Sequence, residues 1–143
     1  MTNKIEPVKE IVRTRLIAAG IKRCLDYPEQ IDAIGNFLPM AFLRSGNTPV
    51  TPVPSGCVLL DYALTIYIIS QTGIAKTKHH EDLIFACAHS LMQDLNMGGT
   101  AYSVNLSELY FNDSIPYVTD AQPQNSIQTS SITLSIQIKD SRL

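Results

Sequence analysis

Three histidines and their neighbours are the residues whose types come closest to a metal site. His79, His80 and His89 lie close together in the sequence, with Glu81 and Cys87 between them. Zinc sites on one helix use ligands four residues apart, because adjacent turns then meet at one ion. This spacing is missing, so we expect no metal. We expect His79 and His80 to be solvated, His89 to face solvent and Cys87 to join the core.

The acidic residues allow two kinds of chemistry. Asp61 lies in an apolar run, where an acid with a raised pKa could serve a catalyst. The alternative is an acid on a partly covered sheet face, bonded to Thr65 or to a lysine or arginine. Asp113 and Asp120 share a polar segment and could bind calcium or a partner. They lack the spacing of an EF-hand, so a solvated loop is the expectation.

The sequence contains no GxGxxG, Walker A or GxSxG motif, and each of these marks a specific chemistry. We therefore expect neither catalysis nor a cofactor. Five tyrosines could form a base-stacking surface on an open sheet, but such surfaces need interleaved basic residues. The strands have almost none, which favours core or subunit contacts for these tyrosines: Tyr62, Tyr67, Tyr102, Tyr110 and Tyr117.

Composition limits the class of protein. The 143 residues fit one domain, which we place at 1–143, and the 45% apolar content excludes a disordered chain. A net charge of −2 gives no basic footprint for grasping nucleic acid. Only 17% of the residues are charged, against about 25% in an average protein. This shortage suggests that part of the uncharged surface faces other protein.

The compartment follows from two further patterns. The first fifteen residues lack the apolar segment of a signal peptide, and the most apolar run, 57–69, is too short to span a bilayer. Cys24, Cys57 and Cys87 are far apart and form no CxxC motif. We expect a soluble protein, made in a reducing cytoplasm, with three buried thiols.

Hydrophobic periodicity predicts the elements that must hold these residues. Two amphipathic helices are expected, Pro7–Ala19 and Lys78–Asn96, with Gly20 and Gly98 as stop signals and Thr77 as a cap. A third, short helix is possible around Glu29–Ile34. Long loops are expected at Ser45–Gly56 and Asn112–Thr129. Four strands are predicted, Leu38–Arg44, Cys57–Ser70, Ala101–Phe111 and Ser130–Lys139.

The strand Cys57–Ser70 is the informative one, because both of its faces are largely apolar. Such a strand lies centrally or has its second face covered. Fourteen residues would reach roughly 45 Å, so one end could project as a hairpin arm. The predicted fold is α+β in the order α-β-β-α-β-β. It comprises a mainly antiparallel four-stranded sheet, two helices on one face and a long β-hairpin over Leu38–Ser70.

This layout over nearly the whole chain resembles the tail terminator family of tailed bacteriophages, also called minor tail or tail-completion proteins. The resemblance lies in the order of segments: VKEIVRTRLIAAGI, LPMAFLR, CVLLDYALTIYIIS, HHEDLIFACAHSLMQDLN, AYSVNLSELYF and SITLSIQIKD. The family has no sharp motif. The resemblance implies a virion protein of the tail or neck, made in the host cytoplasm.

The same resemblance implies a ring, expected to be a hexamer, that caps the tail tube and ends its polymerisation. Its partners would be other copies, the tail tube protein and the head–tail connector or stopper protein, with no membrane. DNA would pass the lumen without being read. We take Leu59, Asp61, Tyr67 and Ile69 as candidates for the subunit interface. Asp113, Tyr117 and Asp120 are candidates for loop contacts.

Three alternatives stay open from the sequence. The first is another structural part of a phage neck or baseplate. The second is a small α+β module that binds a ligand or regulates a partner. The third is an enzyme, for which Asp61, His80 and Glu81 would be the first residues to test.

Overall fold

One mixed sheet of six strands, with two helices against one of its faces, forms the part of the chain that the structure describes. The computed structural model describes residues 3–26, 38–54, 56–72, 76–94, 96–116 and 126–140. The helices are α1 (Ile5–Ala18) and α2 (Lys76–Met92), followed by a 3-10 turn at Met97–Gly99. The strands are β1 (Arg23–Asp26), β2 (Met40–Ser45), β3 (Val50–Pro52), β4 (Val58–Thr72), β5 (Ser103–Pro116) and β6 (Ser126–Asp140).

The sheet has the order β1-β2-β4-β6-β5, with β3 paired to β4 beyond the end of β2. β1 runs parallel to β2, and every other pair is antiparallel. The predicted α+β class is correct, but the predicted sheet of four strands is wrong. β1 is too short to give a periodic signal, and β3 lies in the segment expected to be the Ser45–Gly56 loop.

The long ladders also differ from the prediction. β2 pairs with β4 over only six residues, so Leu38–Ser70 is not a long hairpin. The longest ladder joins β4 to β6, from Val58 opposite Asp140 to Thr72 opposite Ser126. The long hairpin is β5–β6, and its strands reach into the expected loop Asn112–Thr129 from both sides. The tip of that hairpin lies outside the described residues.

Alternation along β4 and β6 builds the core. The even-numbered side chains of β4 from Tyr62 to Ile68 and of β6 from Ile132 to Ile138 point to one face, which we call the helix face, and are buried. α1 packs on it through Val8, Val12 and Leu16, and α2 does so through Ile84, Cys87 and Leu91. Burial of this apolar surface is the main source of stability.

The helix boundaries follow from local chemistry. α1 has the predicted stripe, and Gly20 after it has a φ of +119°, which L side chains rarely adopt. Ser90 Oγ donates to the Arg15 carbonyl oxygen at 3.0 Å, and the Arg15 guanidinium pairs with Asp94 at 3.1 Å. α2 begins at Lys76 and ends at Met92. Thr77 therefore lies inside the helix, and the predicted cap at that residue is wrong.

The predicted short helix at Glu29–Ile34 lies outside the described residues. Of the helices that the structure describes, none has both the length and the apolar character needed to cross a membrane.

Candidate functional site

The face of the sheet opposite the helices is the candidate site, and we call it the outer face. It is formed by the odd-numbered side chains of β4 and β6 and by the side chains beside them on β1, β2 and β5. Both described helices pack on the other face. The outer side chains of β4 are all partly exposed: Leu59, Asp61, Ala63, Thr65, Tyr67 and Ile69.

One end of the outer face is apolar. Met40 pairs with Ile69, and Phe42 lies between Tyr67 of β4 and Leu25 of β1. We call these five residues the outer patch. Met40 and Phe42 are 0% and 4% exposed, although neither belongs to the core beneath the helices. The outer patch is therefore a second, smaller apolar cluster on the outer face.

The rest of the outer face is mainly polar. β6 presents Ser131, Thr133, Ser135 and Gln137 there. The Gln137 carboxamide donates to Asp61 Oδ1 at 3.2 Å, and its oxygen accepts from Ser103 Oγ at 3.1 Å. This chain of hydrogen bonds crosses β4, β6 and β5. The expected Asp61 partners were Thr65, lysine or arginine, but the structure pairs Asp61 with Gln137 instead.

An open groove borders the outer patch at the end of β2. Its volume is about 460 Å³, and Tyr67 stands on one side of it. Backbone hydrogen bonds fix its rim, since Gly46 N donates to the Ala63 carbonyl oxygen at 2.8 Å. The groove is lined by Arg44, Ser45, Gly46, Asn47, Thr65 and Tyr67.

The structure divides the predicted interface residues into two groups. Tyr67 and Ile69 belong to the outer patch, whereas Leu59 and Asp61 lie near the other end of β4. Ten residues of strand separate Leu59 from Ile69, which corresponds to about 33 Å. All four share one face, as predicted from the alternation, but they do not form one contiguous site.

The predicted loop contacts are only partly visible. Asp113 belongs to β5 rather than to a loop, so its placement in a polar loop is wrong. Tyr117 and Asp120 lie outside the described residues. Sequence reasoning missed Met40 and Phe42, because a six-residue strand beginning next to Pro39 gave no reliable assignment of faces.

His80 is the clearest correction among the residues singled out for chemistry. It is 1% exposed rather than solvated. Its Nδ1 shares a hydrogen bond of 2.5 Å with Ser70 Oγ, and its Nε2 shares one of 2.6 Å with Ser130 Oγ. Burial lowers the pKa of His80, which favours the neutral imidazole. This contact joins α2 to β4 and β6, with His80 and Ser130 buried and Ser70 partly exposed.

The remaining candidates divide between core and solvent. His79 and His89 are exposed, as expected for both. Cys87 is buried, and burial raises the pKa of its thiol to about 12. Cys24 and Cys57 are partly exposed, so the expectation of three buried thiols is wrong for these two. Among the described residues, no three histidine, cysteine or acidic side chains group closely enough to hold a metal ion.

Comparison with known proteins gives a likeness of layout. No family model matches the chain, and no curated protein does so. Among solved structures, the chain is similar to one from the virion of a native gene transfer agent particle. The two share 14% sequence identity with a TM-score of 0.38, over 92% of this chain and 91% of that one. A likeness at this level assigns neither a family nor a function.

Proposed function

We propose that this protein is a structural component of a virion, and that it works by assembling with other copies through the outer face. The observation that supports the proposal is the outer patch, where apolar side chains gather on the face opposite both described helices. Larger apolar patches on a protein surface mark contacts with other molecules. Leu25, Tyr67 and Ile69 are its partly exposed members.

The polar part of the outer face supports the same function. Hydroxyl and carboxamide groups dominate β6 there, and Lys139 is its one charged residue among the described outer side chains. Interface cores are depleted in charge, whereas ordinary solvent-facing surfaces are not. The β6 part of the outer face is therefore poor in charge, as the core of an interface would be.

In the more specific form of the proposal, the assembly is a tail terminator ring, expected to be a hexamer. It would cap the tail tube and offer a docking surface to the head–tail connector. A closed ring needs two different patches that fit each other. The outer patch would be one of them, and the end of β4 with Leu59 and Asp61 would belong to the other. With a net charge of −2, such a ring would let DNA pass without gripping it.

The test is assembly of the purified protein, measured by sedimentation velocity and electron microscopy with and without tail tubes. We expect rings, at least when tubes are present. Ile69→Asp and Leu59→Asp should abolish ring formation and tail termination, because each places a charge on the proposed interface. Ile17→Asp is the matched control, since Ile17 is an exposed apolar residue of α1.

A chain that stays monomeric with and without tubes would contradict the proposal. So would rings that form equally well in the wild type and in both outer-face variants.

A further inference from the structure

We propose that neighbouring copies join edge to edge, with β1 of one copy pairing antiparallel to β5 of the next. This inference rests on the proposed assembly. It adds the strand pairing that would join neighbouring copies into a closed ring. The partner at each edge is a second copy of this chain. The argument depends on four features of the two edges: strand direction, length, side-chain facing and charge.

Strand direction permits the pairing. β1 and β5 are the two ends of the sheet order, and neither is paired on its outer side within the described residues. Following the ladders across the sheet, β1 and β5 run in opposite directions. One sheet can thus continue into the next as an antiparallel pair with both sets of helices on the same side. Because the two edges differ, the contact is head-to-tail, as a ring requires.

The two edges also match in length. Irregularities at Leu106/Glu108 and at Phe111/Ser114 interrupt the ladder of β5 with β6. Between them, Glu108–Phe111 forms a regular segment of four residues, and β1 is also four residues long. Bulges normally protect an edge strand from further pairing. On β5 they leave one short segment available. With Arg23 opposite Tyr110, three of the four residues of β1 pair within it, and Asp26 falls opposite Ser107 beside the first irregularity.

Side-chain facing restricts the register, because outer side chains must lie opposite outer side chains. Arg23 and Leu25 point to the outer face, as do Glu108 and Tyr110. Pairing Arg23 with Tyr110 keeps outer side chains on one face and sets Cys24 opposite Leu109 on the helix face. The guanidinium then lies over an aromatic ring that is half exposed in the single copy.

Charge favours a second copy over an unrelated strand. The β1 edge begins with two exposed cations, Lys22 and Arg23. Glu108 is the acidic residue of the regular β5 segment and is exposed. In the proposed register it is a diagonal neighbour of Arg23, within reach of a long side chain. An edge pairing of β5 with itself would instead bring two copies of Glu108 together.

The first experiment is disulfide cross-linking of the double variant Arg23→Cys/Tyr110→Cys. Directly opposed residues of an antiparallel pair have the separation that a disulfide needs. Mild oxidation of assembled protein should give a ladder of dimers, trimers and larger species on a non-reducing gel. The single variants Arg23→Cys and Tyr110→Cys should stay monomeric. So should Arg23→Cys/Leu109→Cys made together with Cys24→Ser, which places the two introduced thiols on opposite faces and removes the native thiol opposite Leu109.

The second experiment keeps the inference testable if the cysteine variants fold poorly. Glu108→Arg should raise the protein concentration needed for assembly roughly fivefold, because it sets like charges across the contact. Adding Arg23→Glu should restore assembly. Circular dichroism of each variant checks that the fold is retained.

The outcomes separate this inference from the proposed function. Rings without a ladder from Arg23→Cys/Tyr110→Cys, and without charge-swap rescue, would overturn edge pairing and leave the ring standing. Dimers from Tyr110→Cys alone would show a two-fold β5 contact and also overturn it. A chain that forms no ring with or without tubes would end both proposals.

Discussion

The two faces of the sheet are built from the same strands but differ in the polarity of their side chains and in their cover by the helices. On the helix face, the buried positions of β4 from Leu60 to Ile66 meet apolar positions of β6, and the helices cover both. On the outer face, Tyr67 and Ile69 of β4 lie beside β2, whereas the side chains of β6 are mostly hydroxyl-bearing. The helix face is thus covered within the one chain, whereas the outer face keeps partly exposed apolar side chains and is the face that we propose for contacts with other copies.

Truncation of a side chain on the helix face should give the largest loss in the free energy of unfolding. Leu134 is 0% exposed and lies in the core opposite Leu64. Leu134→Ala should lower the free energy of unfolding by about 3 kcal/mol, measured by urea denaturation. Its neighbour Ser135 points to the outer face, and Ser135→Ala should change stability by less than about 0.5 kcal/mol. Equal losses would show that the two faces do not differ as described.

The buried histidine should make the helix face sensitive to acid. Burial lowers the pKa of His80 below its ordinary value of 6.5. As the pH falls, His80 of the unfolded chain is therefore protonated before His80 of the folded chain. The stability that neutral His80 contributes is complete above about pH 6.5 and falls as the pH drops below it. In that range the free energy of unfolding falls by up to about 1.4 kcal/mol for each pH unit, until His80 is protonated in the folded state as well.

The measurement is urea unfolding between pH 5 and 7. His80→Leu should remove this slope, whereas His89→Leu, at an exposed position, should keep it. A wild-type curve that stays flat across this range would contradict the contribution of His80.

Truncation on the outer patch should affect assembly more than folding. Tyr67→Ala should raise the concentration needed for ring formation about tenfold, as is typical for an aromatic residue central to an interface. The free energy of unfolding of the single copy should change by less than about 1 kcal/mol. Phe85→Ala, at an exposed aromatic residue of α2, is the control. If Tyr67→Ala unfolds the single copy without weakening assembly, the outer patch is a core and not an interface.

The smallest effect concerns the charges that attach α1 to β1. Burial by itself would raise the pKa of Asp26, but hydrogen bonds and charges from Lys9 and Arg13 outweigh it and lower the pKa. Asp26→Asn should cost less than about 1 kcal/mol near pH 7, because Asp26 is partly exposed. The difference from the wild type should vanish as the pH falls through the lowered pKa of Asp26. A constant difference down to pH 2 would exclude the ion pairs as its source.

Hydrophobic periodicity predicted the long helices and strands, in which buried side chains recur at a regular spacing. The alternation of Ile132, Leu134, Ile136 and Ile138 and the stripe of Val8, Val12 and Leu16 each identified the buried face correctly. Elements of three or four residues, β3 and β1, were missed, because so few positions show no period. Their pairing depends on strands far away in the sequence.

The candidate site was predicted only in part, for two physical reasons. The two apolar faces of β4 indicated the outer face, but Met40 and Phe42 join it through a partner strand that alternation alone does not orient. On β5, simple alternation would place Val104, Leu106 and Tyr110 on one face, but only the first two share it. The irregularity after Leu106 shifts the alternation, so that Leu109 takes the helix face and Tyr110 the outer one. His80 was misplaced because its two serine partners lie on other elements.

The β4–β6 ladder also determines the order in which the chain can fold. β4 is the centre of the sheet, yet its longest partner is the last of the six described strands to leave the ribosome. Until β6 emerges, β4 exposes an unpaired edge and an apolar face, with only β2 and β3 able to pair beside it. Contacts between such distant segments close slowly, and exposed strand edges favour aggregation during that time. High-level expression at lowered temperature, with a chaperone present, should therefore improve the yield of folded protein.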